Sequence, residues 1–306
     1  MAAMAECRDV RAAGTPGQCA SAPPMPTPTL PALLALHGAV LLFGFAGLFG
    51  KWLALSPVAI VLGRTLVAAA ALGLLVAARR QRAPFVAGLA ANGIVLAVHW
   101  VAFFEAIRVS TIAIGLLGFA SFPLFVLVLE RVMLGRRWSQ VEAITALMVA
   151  LGLVVLVPRF DWEDRTVQGL LWGVLAGFTF ALLAVRSRRY AATHAPVAVA
   201  LWQNAVAAAV LAPFVVAGAV AVPAVTAHDV MLLLVLGLVC TALAHTLFIG
   251  SLRRVSAHTA SVVAALEPVY GIALAALLLG EVPSPRTLLG ASLIVGAALV
   301  ATRRAA

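Results

Sequence analysis

Charge is what this chain has least of. Only 10% of its 306 residues are Asp, Glu, Lys or Arg, against about 25% in a soluble domain. A chain so poor in charge and 64% hydrophobic cannot dress a water-facing surface, which excludes a soluble globular enzyme or binding module. Cysteine is also scarce. Cys7, Cys19 and Cys240 form no spaced set, so neither a disulfide framework nor a metal site is expected, and no cofactor is implied. No phosphate-cradling loop ending in Gly-Lys-Ser/Thr occurs, which argues against ATP-driven transport by this chain. Residues 1–29 hold no short apolar run before a small-residue cleavage site and do not read as a signal peptide. They are small, polar and proline-rich, and are expected to form a disordered cytoplasmic tail. The net charge of +10 does not point to nucleic acid, because Lys and Arg sit in short loops between apolar runs, where they act as topology signals.

What the chain has is apolar runs. Ten follow the tail, at about 32–55, 57–78, 86–107, 110–130, 139–157, 167–185, 196–219, 230–250, 257–279 and 286–302. Each can cross the roughly 30 Å hydrocarbon core as a helix, some only just. The expected fold is therefore all-α and integral to the membrane, with ten transmembrane helices. With the N-terminus placed inside, fifteen loop and tail arginines face the cytoplasm and four (Arg108, Arg159, Arg165 and Arg286) face out. That bias puts both termini in the cytoplasm.

The runs repeat. HWVAFFEAIRVS (99–110) lies over HTLFIGSLRRVS (245–256), matching at the His and at the closing Arg-Val-Ser. One residue out of register, Pro123 lies over Pro268. Gly44 matches Gly173, and seven residues after Pro57 and Pro196 come Arg64 and Gln203. The chain thus divides into a first five-helix repeat, 30–157, and a second, 158–306. Five is odd, so the copies are inverted in the membrane, the plan of secondary transporters with a midplane site between halves. The loops agree: GRRW after the fourth run is placed inside, and its counterpart GEVP after the ninth is placed outside.

These features together resemble the drug/metabolite transporter superfamily, EamA type. The resemblance covers about 32–302. It rests on the ten runs in two halves, the Gly in each first run, the polar residue in each second run, and the Arg-Val-Ser entry to each fourth run. The most family-like stretch is RVSAHTASVVAALEPVYGIALAALLLGE (254–281). Arg136 where the second half has Glu281, and an extra residue between Ser110 and Pro123, depart from strict symmetry. The resemblance implies a ten-helix bacterial inner-membrane carrier that moves amino acids, other metabolites or drugs by alternating access.

Glu267 leads the candidates for binding or coupling. A carboxylate near mid-span costs at least about 2.5–3.5 kcal/mol on insertion scales and marks a functional position by default. Pro268 beside it removes a helix N–H, which is tolerated where a helix lines a polar cavity. His99 and His245, at matching positions, can each donate or accept a hydrogen bond or relay a proton. Arg64 can hold a carboxylate bidentately, and Gln203 is its repeat partner. Trp100 and Tyr270 offer aromatic surface to a cationic or apolar solute. Lys51 and Glu105, near the outer ends of their runs, are expected to form a gate, with Glu105 pairing Lys51 or Arg64. Pro123 and Pro268 read as helix breaks shared by both halves, and Glu281 as a sidedness residue.

The partners expected are a small-molecule substrate and the lipid bilayer, with proton coupling, no nucleic acid, and a monomeric or homodimeric state. The alternative function is an integral-membrane enzyme acting on a lipid or prenyl substrate. It would need clustered carboxylates or a nucleophile and base at one membrane face.

Overall fold

The computed structural model describes residues 29–134, 139–157, 161–220, 222–255, 260, 263, 264 and 266–303. The expected tail lies outside these apart from Thr29, as does the Arg136 loop. Seven described helices are long and apolar enough to cross a membrane: Leu30–Trp52, Pro57–Ala78, Ala87–Val109, Ile112–Met133, Arg165–Thr193, Pro196–Val216 and Ala227–Ser251. Helices Gln140–Leu156, Glu267–Leu279 and Pro285–Arg303 fill the fifth, ninth and tenth positions.

Several spans are broken, and their pieces are labelled separately. The helices are α1 (Leu30–Ala46), α2 (Phe49–Trp52), α3 (Pro57–Ala78), α4 (Ala87–Val109), α5 (Ile112–Phe119), α6 (Phe122–Leu134) and α7 (Gln140–Leu156). The second half holds α8 (Arg165–Thr193), α9 (Pro196–Val216), α10 (Ala227–Gly237), α11 (Ala244–Ser251), α12 (Glu267–Leu279) and α13 (Pro285–Arg303). A π-helical segment, Leu238–Leu243, joins α10 to α11.

Local chemistry sets the boundaries. Pro57 and Pro196 open α3 and α9 at positions that need no N–H. Thr111 caps α5 by accepting from Ile114 N at 3.2 Å. Asp164 caps α8 by accepting from Thr166 N at 2.6 Å, and that bond holds its carboxyl below the usual carboxylate range. Thr226 and Asp229 form a reciprocal capping box at α10. Gly280 ends α12 at φ 68, a backbone conformation glycine adopts without strain. Both prolines read as shared breaks sit in the first turn of a new half-helix. Pro123 is the second residue of α6, after a turn at Ala120 and Ser121, and Pro268 is the second residue of α12. Pro268 therefore stands in the opening turn of a helix that starts at Glu267, where its missing N–H costs no helix bond.

The packing obeys a pseudo-twofold exchange of the halves. The first span, α1, packs on α11 and α12, and its counterpart α8 packs on α4, α5 and α6. The second span, α3, packs on α9 and on α10, while α9 packs on α3 and α4. The fifth and tenth spans, α7 and α13, pack on each other. Small residues allow these approaches. A Cβ on Gly44 would lie 3.0 Å from Gly271 N, and one on Gly173 would lie 2.7 Å from Gly115 O and 2.9 Å from Gly118 Cα. Backbone atoms cannot step aside. Gly173→Ala is therefore expected to cost about 1–3 kcal/mol and to lower the unfolding temperature in detergent. Gly38→Ala, with nothing within 4 Å, is the matched control and should not.

The same exchange exposes an insertion. A Cβ on Gly93 would meet Val206 Cβ at 2.6 Å and Gln203 O at 2.9 Å; on Gly237 it would meet Val67 Cβ at 2.5 Å and Arg64 O at 3.1 Å. The two glycines occupy equivalent places. Yet Gly93 and His99 are six residues apart, and Gly237 and His245 eight. The two extra residues fall in Leu238–Leu243 and are absorbed as π turns. Such turns leave the helix continuous but free backbone groups for other partners, often at functional sites.

Candidate functional site

A cavity lies between the halves. Its walls include Arg64 from α3, His99 and Trp100 from α4, Phe180 and Ser187 from α8, His245 from α11 and Glu267 from α12. The space open to the centre of a water molecule is about 40 Å³, room for roughly three waters. Five of the sequence candidates thus meet in one place: Arg64, His99, Trp100, His245 and Glu267.

Arg64 is 1% exposed and is held on three sides. Its Nε donates to Thr241 Oγ1 at 2.9 Å, and its Nη2 donates to Cys240 O at 3.2 Å. Both acceptors belong to the π segment, so the insertion in the second half supplies the cradle. Thr241 Oγ1 in turn donates to Leu236 O at 2.7 Å. The guanidinium carbon sits 4.0 Å from the Trp100 ring centroid and 5.4 Å from that of Phe104, a stacking that stabilises a desolvated cation. A guanidinium has five N–H groups. Those beyond the two committed ones have no hydrogen-bond partner among the described residues.

Glu267 is 2% exposed. It begins α12, where the helix N-terminus favours negative charge. Among the described residues it makes no hydrogen bond or ion pair, and no salt bridge joins it to Arg64. Among the described residues the cavity therefore holds one cation and one carboxylate that make no direct contact with each other. His99 and His245 are 4% and 8% exposed. His99 Nδ1 lies 2.9 Å from Ala176 O, and His245 Nδ1 lies 3.3 Å from Asn204 Nδ2. An aromatic wall of Phe103, Phe119 and Phe180 surrounds His99, with ring centroids 5.3–6.3 Å away.

Other candidates lie elsewhere. Gln203 is fully buried behind the cavity wall, where its Nε2 donates to Ser187 Oγ at 2.9 Å. Asn92 reaches the same hydroxyl at 3.4 Å and accepts from Arg186 Nε at 2.6 Å. Tyr270 packs against the apolar core and does not line the cavity. The expected pairing of Glu105 with Lys51 or Arg64 is corrected: Glu105 accepts two bonds from Arg108, at 2.8 and 2.5 Å, one helical turn away. Lys51 instead donates to Ser110 O at 2.8 Å and lies 3.9 Å from Glu281 Oε1. Glu281 Oε2 accepts from Ile112 N at 3.0 Å. Glu281, set aside as a sidedness residue, thus ties the end of the ninth span to the first half. Sequence reasoning also missed Thr241, Cys240, Ser187 and Asn204, whose types carry no charge signal.

Comparisons with known proteins address the fold and the family. A solved crystal structure aligns with a TM-score of 0.68 at 22% identity, covering 89% of this chain and 98% of its own; at that identity the likeness speaks to the fold alone. An uncharacterized transporter of Archaeoglobus fulgidus is 26% identical over 202 residues, 66% of this chain and 71% of the relative. The pseudopaline exporter CntI of Pseudomonas aeruginosa is 29% identical over 232 residues, 74% of this chain and 78% of the relative. The model of the EamA-like transporter family matches twice, at 30–157 and 167–303, once for each half of the structure. The chain is a multi-pass membrane transporter of small solutes and belongs to the EamA-like transporter family.

Proposed function

We propose that the chain carries a zwitterionic organic solute, an amino acid or a related amino-carboxylate, by alternating access. The observation that supports this is the unpaired opposition of Arg64 and Glu267 in one aromatic cavity. A buried charge without a partner is costly, and a solute bearing a carboxylate and an ammonium supplies both missing partners. Arg64 takes the carboxylate as a fork and Glu267 takes the ammonium.

Glu267 also couples transport to protons. One carboxylate cannot hold an ammonium and a proton together, so the two compete, and competition for one site gives exchange of solute against protons. A relative named as an exporter supports outward movement. The arginine bias supports an inner-membrane protein with both termini in the cytoplasm. The cavity is too small for such a cargo as it stands, so loading requires the halves to part. The Lys51–Glu281–Ile112 contacts close the end at which Lys51 lies, and opening that end breaks them.

Counterflow in proteoliposomes tests the reading. Labelled glutamine outside should enter faster when unlabelled glutamine is loaded inside, and glutarate or a simple alkylamine should not replace it. Uptake without such stimulation means a pore, and equal stimulation by these analogues, each of which carries charge of one sign only, removes the zwitterion.

A further inference from the structure

His99 and His245 occupy matching positions in the repeat, but their partners differ in kind. His99 Nδ1 faces Ala176 O at 2.9 Å. A carbonyl oxygen only accepts, so Nδ1 carries the hydrogen, and in the neutral ring Nε2 keeps its lone pair. His245 Nδ1 faces Asn204 Nδ2 at 3.3 Å, and the same amide nitrogen lies 2.8 Å from Ala200 O. The Ala200 carbonyl identifies that atom as the NH2 group, whose second hydrogen points to His245. Nδ1 of His245 therefore accepts, and its hydrogen resides on Nε2. The repeat shows why His99 lacks this arrangement. The residue equivalent to Asn204 is Thr65, which follows Arg64 as Asn204 follows Gln203. Its hydroxyl is spent within its own helix, on Val61 O at 2.7 Å and Leu62 O at 3.0 Å. Neither Nε2 has a hydrogen-bond partner among the described residues.

We propose that the two histidines meet the cargo with opposite polarity, His99 accepting at Nε2 and His245 donating from Nε2–H, and that Asn204 is the positioning residue that sets the second. This rests on the cavity being the cargo site. Trp100 stands between the two functions. Arg64 stacks on its ring, the His245 centroid is 5.8 Å from it and that of His99 6.4 Å. The polar group read by the histidines is thus close to the carboxylate held by Arg64. A side-chain amide or hydroxyl offers a donor and an acceptor together and satisfies both rings. An apolar isostere leaves both unpaired, the situation in which a polar site discriminates most strongly. The cargo class narrows to amino-carboxylates with a neutral, hydrogen-bonding side chain.

The test uses the full chain, labelled with 15N-histidine and reconstituted in lipid, with His99→Gln and His245→Gln identifying the two signals. His99 should show the Nδ1–H form and His245 the Nε2–H form. In Asn204→Asp the new carboxylate can only accept, so His245 should switch to Nδ1–H. A shared tautomer in the parent, or an unmoved His245 signal in Asn204→Asp, overturns the assignment. The parent spectrum decides even where that variant does not fold. Thermal-shift titration of the parent should rank L-glutamine at least about tenfold tighter than L-norleucine, with Asn204→Asp shrinking the preference. Equal binding with the tautomers as assigned overturns the discrimination. No binding of either amino acid overturns the cargo reading and the proposal with it.

Discussion

Arg64→Ala should abolish counterflow, with solute affinity falling about 100-fold or more. Truncating one partner of a buried, hydrogen-bonded charge pair costs about 2–5 kcal/mol, and about 1.4 kcal/mol is tenfold. The loss has two sources. The solute carboxylate loses its fork, and Thr241 Oγ1 and Cys240 O lose the donor that closes the π segment. Arg64→Lys separates them. Lysine keeps the charge but neither the fork nor the flat face laid on Trp100, so its flux should stay well below that of the parent. The measurement is glutamine counterflow with the unfolding temperature recorded in parallel. A variant that is stable and still transports would remove Arg64 from the site.

The second large effect is at Glu267. Glu267→Gln keeps the shape of the side chain and removes its charge and its proton. Flux driven by a pH gradient should vanish, and affinity for a zwitterion should fall about tenfold or more, the scale of one charge-assisted hydrogen bond. The parent's uptake should respond to an imposed pH gradient and the variant's should not. Glu267→Asp should recover part of both responses. A Glu267→Gln protein that transports and answers pH like the parent contradicts the coupling role.

How much of this was legible in the sequence depends on what carried it. Span number, the repeat and the paired prolines are written in residue type and spacing, and the two prolines stand second in α6 and α12. Arg64, Glu267 and the histidines announced themselves because ionisable side chains in apolar runs are expensive. The Thr241 and Cys240 cradle did not. It comes from a two-residue insertion absorbed as π turns, and hydropathy is blind to helical winding. Asn204 was hidden for a similar reason. Beside Gln203 it reads as a second buried amide, and only the direction of its helix face separates a residue aimed at His245 from one aimed at Ser187. The gate pairing failed on local geometry. Arg108 lies three residues from Glu105 and reaches it first, which frees Lys51 for the carboxylate that the ninth span brings to the same end.

The claim that Arg64 and Glu267 hold opposite ends of one solute is tested most directly by a crossed set of affinities. Isothermal titration would compare L-glutamine with its α-amide, which lacks the carboxylate, and with its deaminated analogue, which lacks the ammonium. Each would be measured on the parent, Arg64→Ala and Glu267→Gln. The parent should discriminate against both analogues. Arg64→Ala should lose discrimination against the α-amide alone, and Glu267→Gln against the deaminated analogue alone, the signature of direct pairwise coupling. Variants that weaken all three ligands by the same factor would show that neither residue touches the end assigned to it.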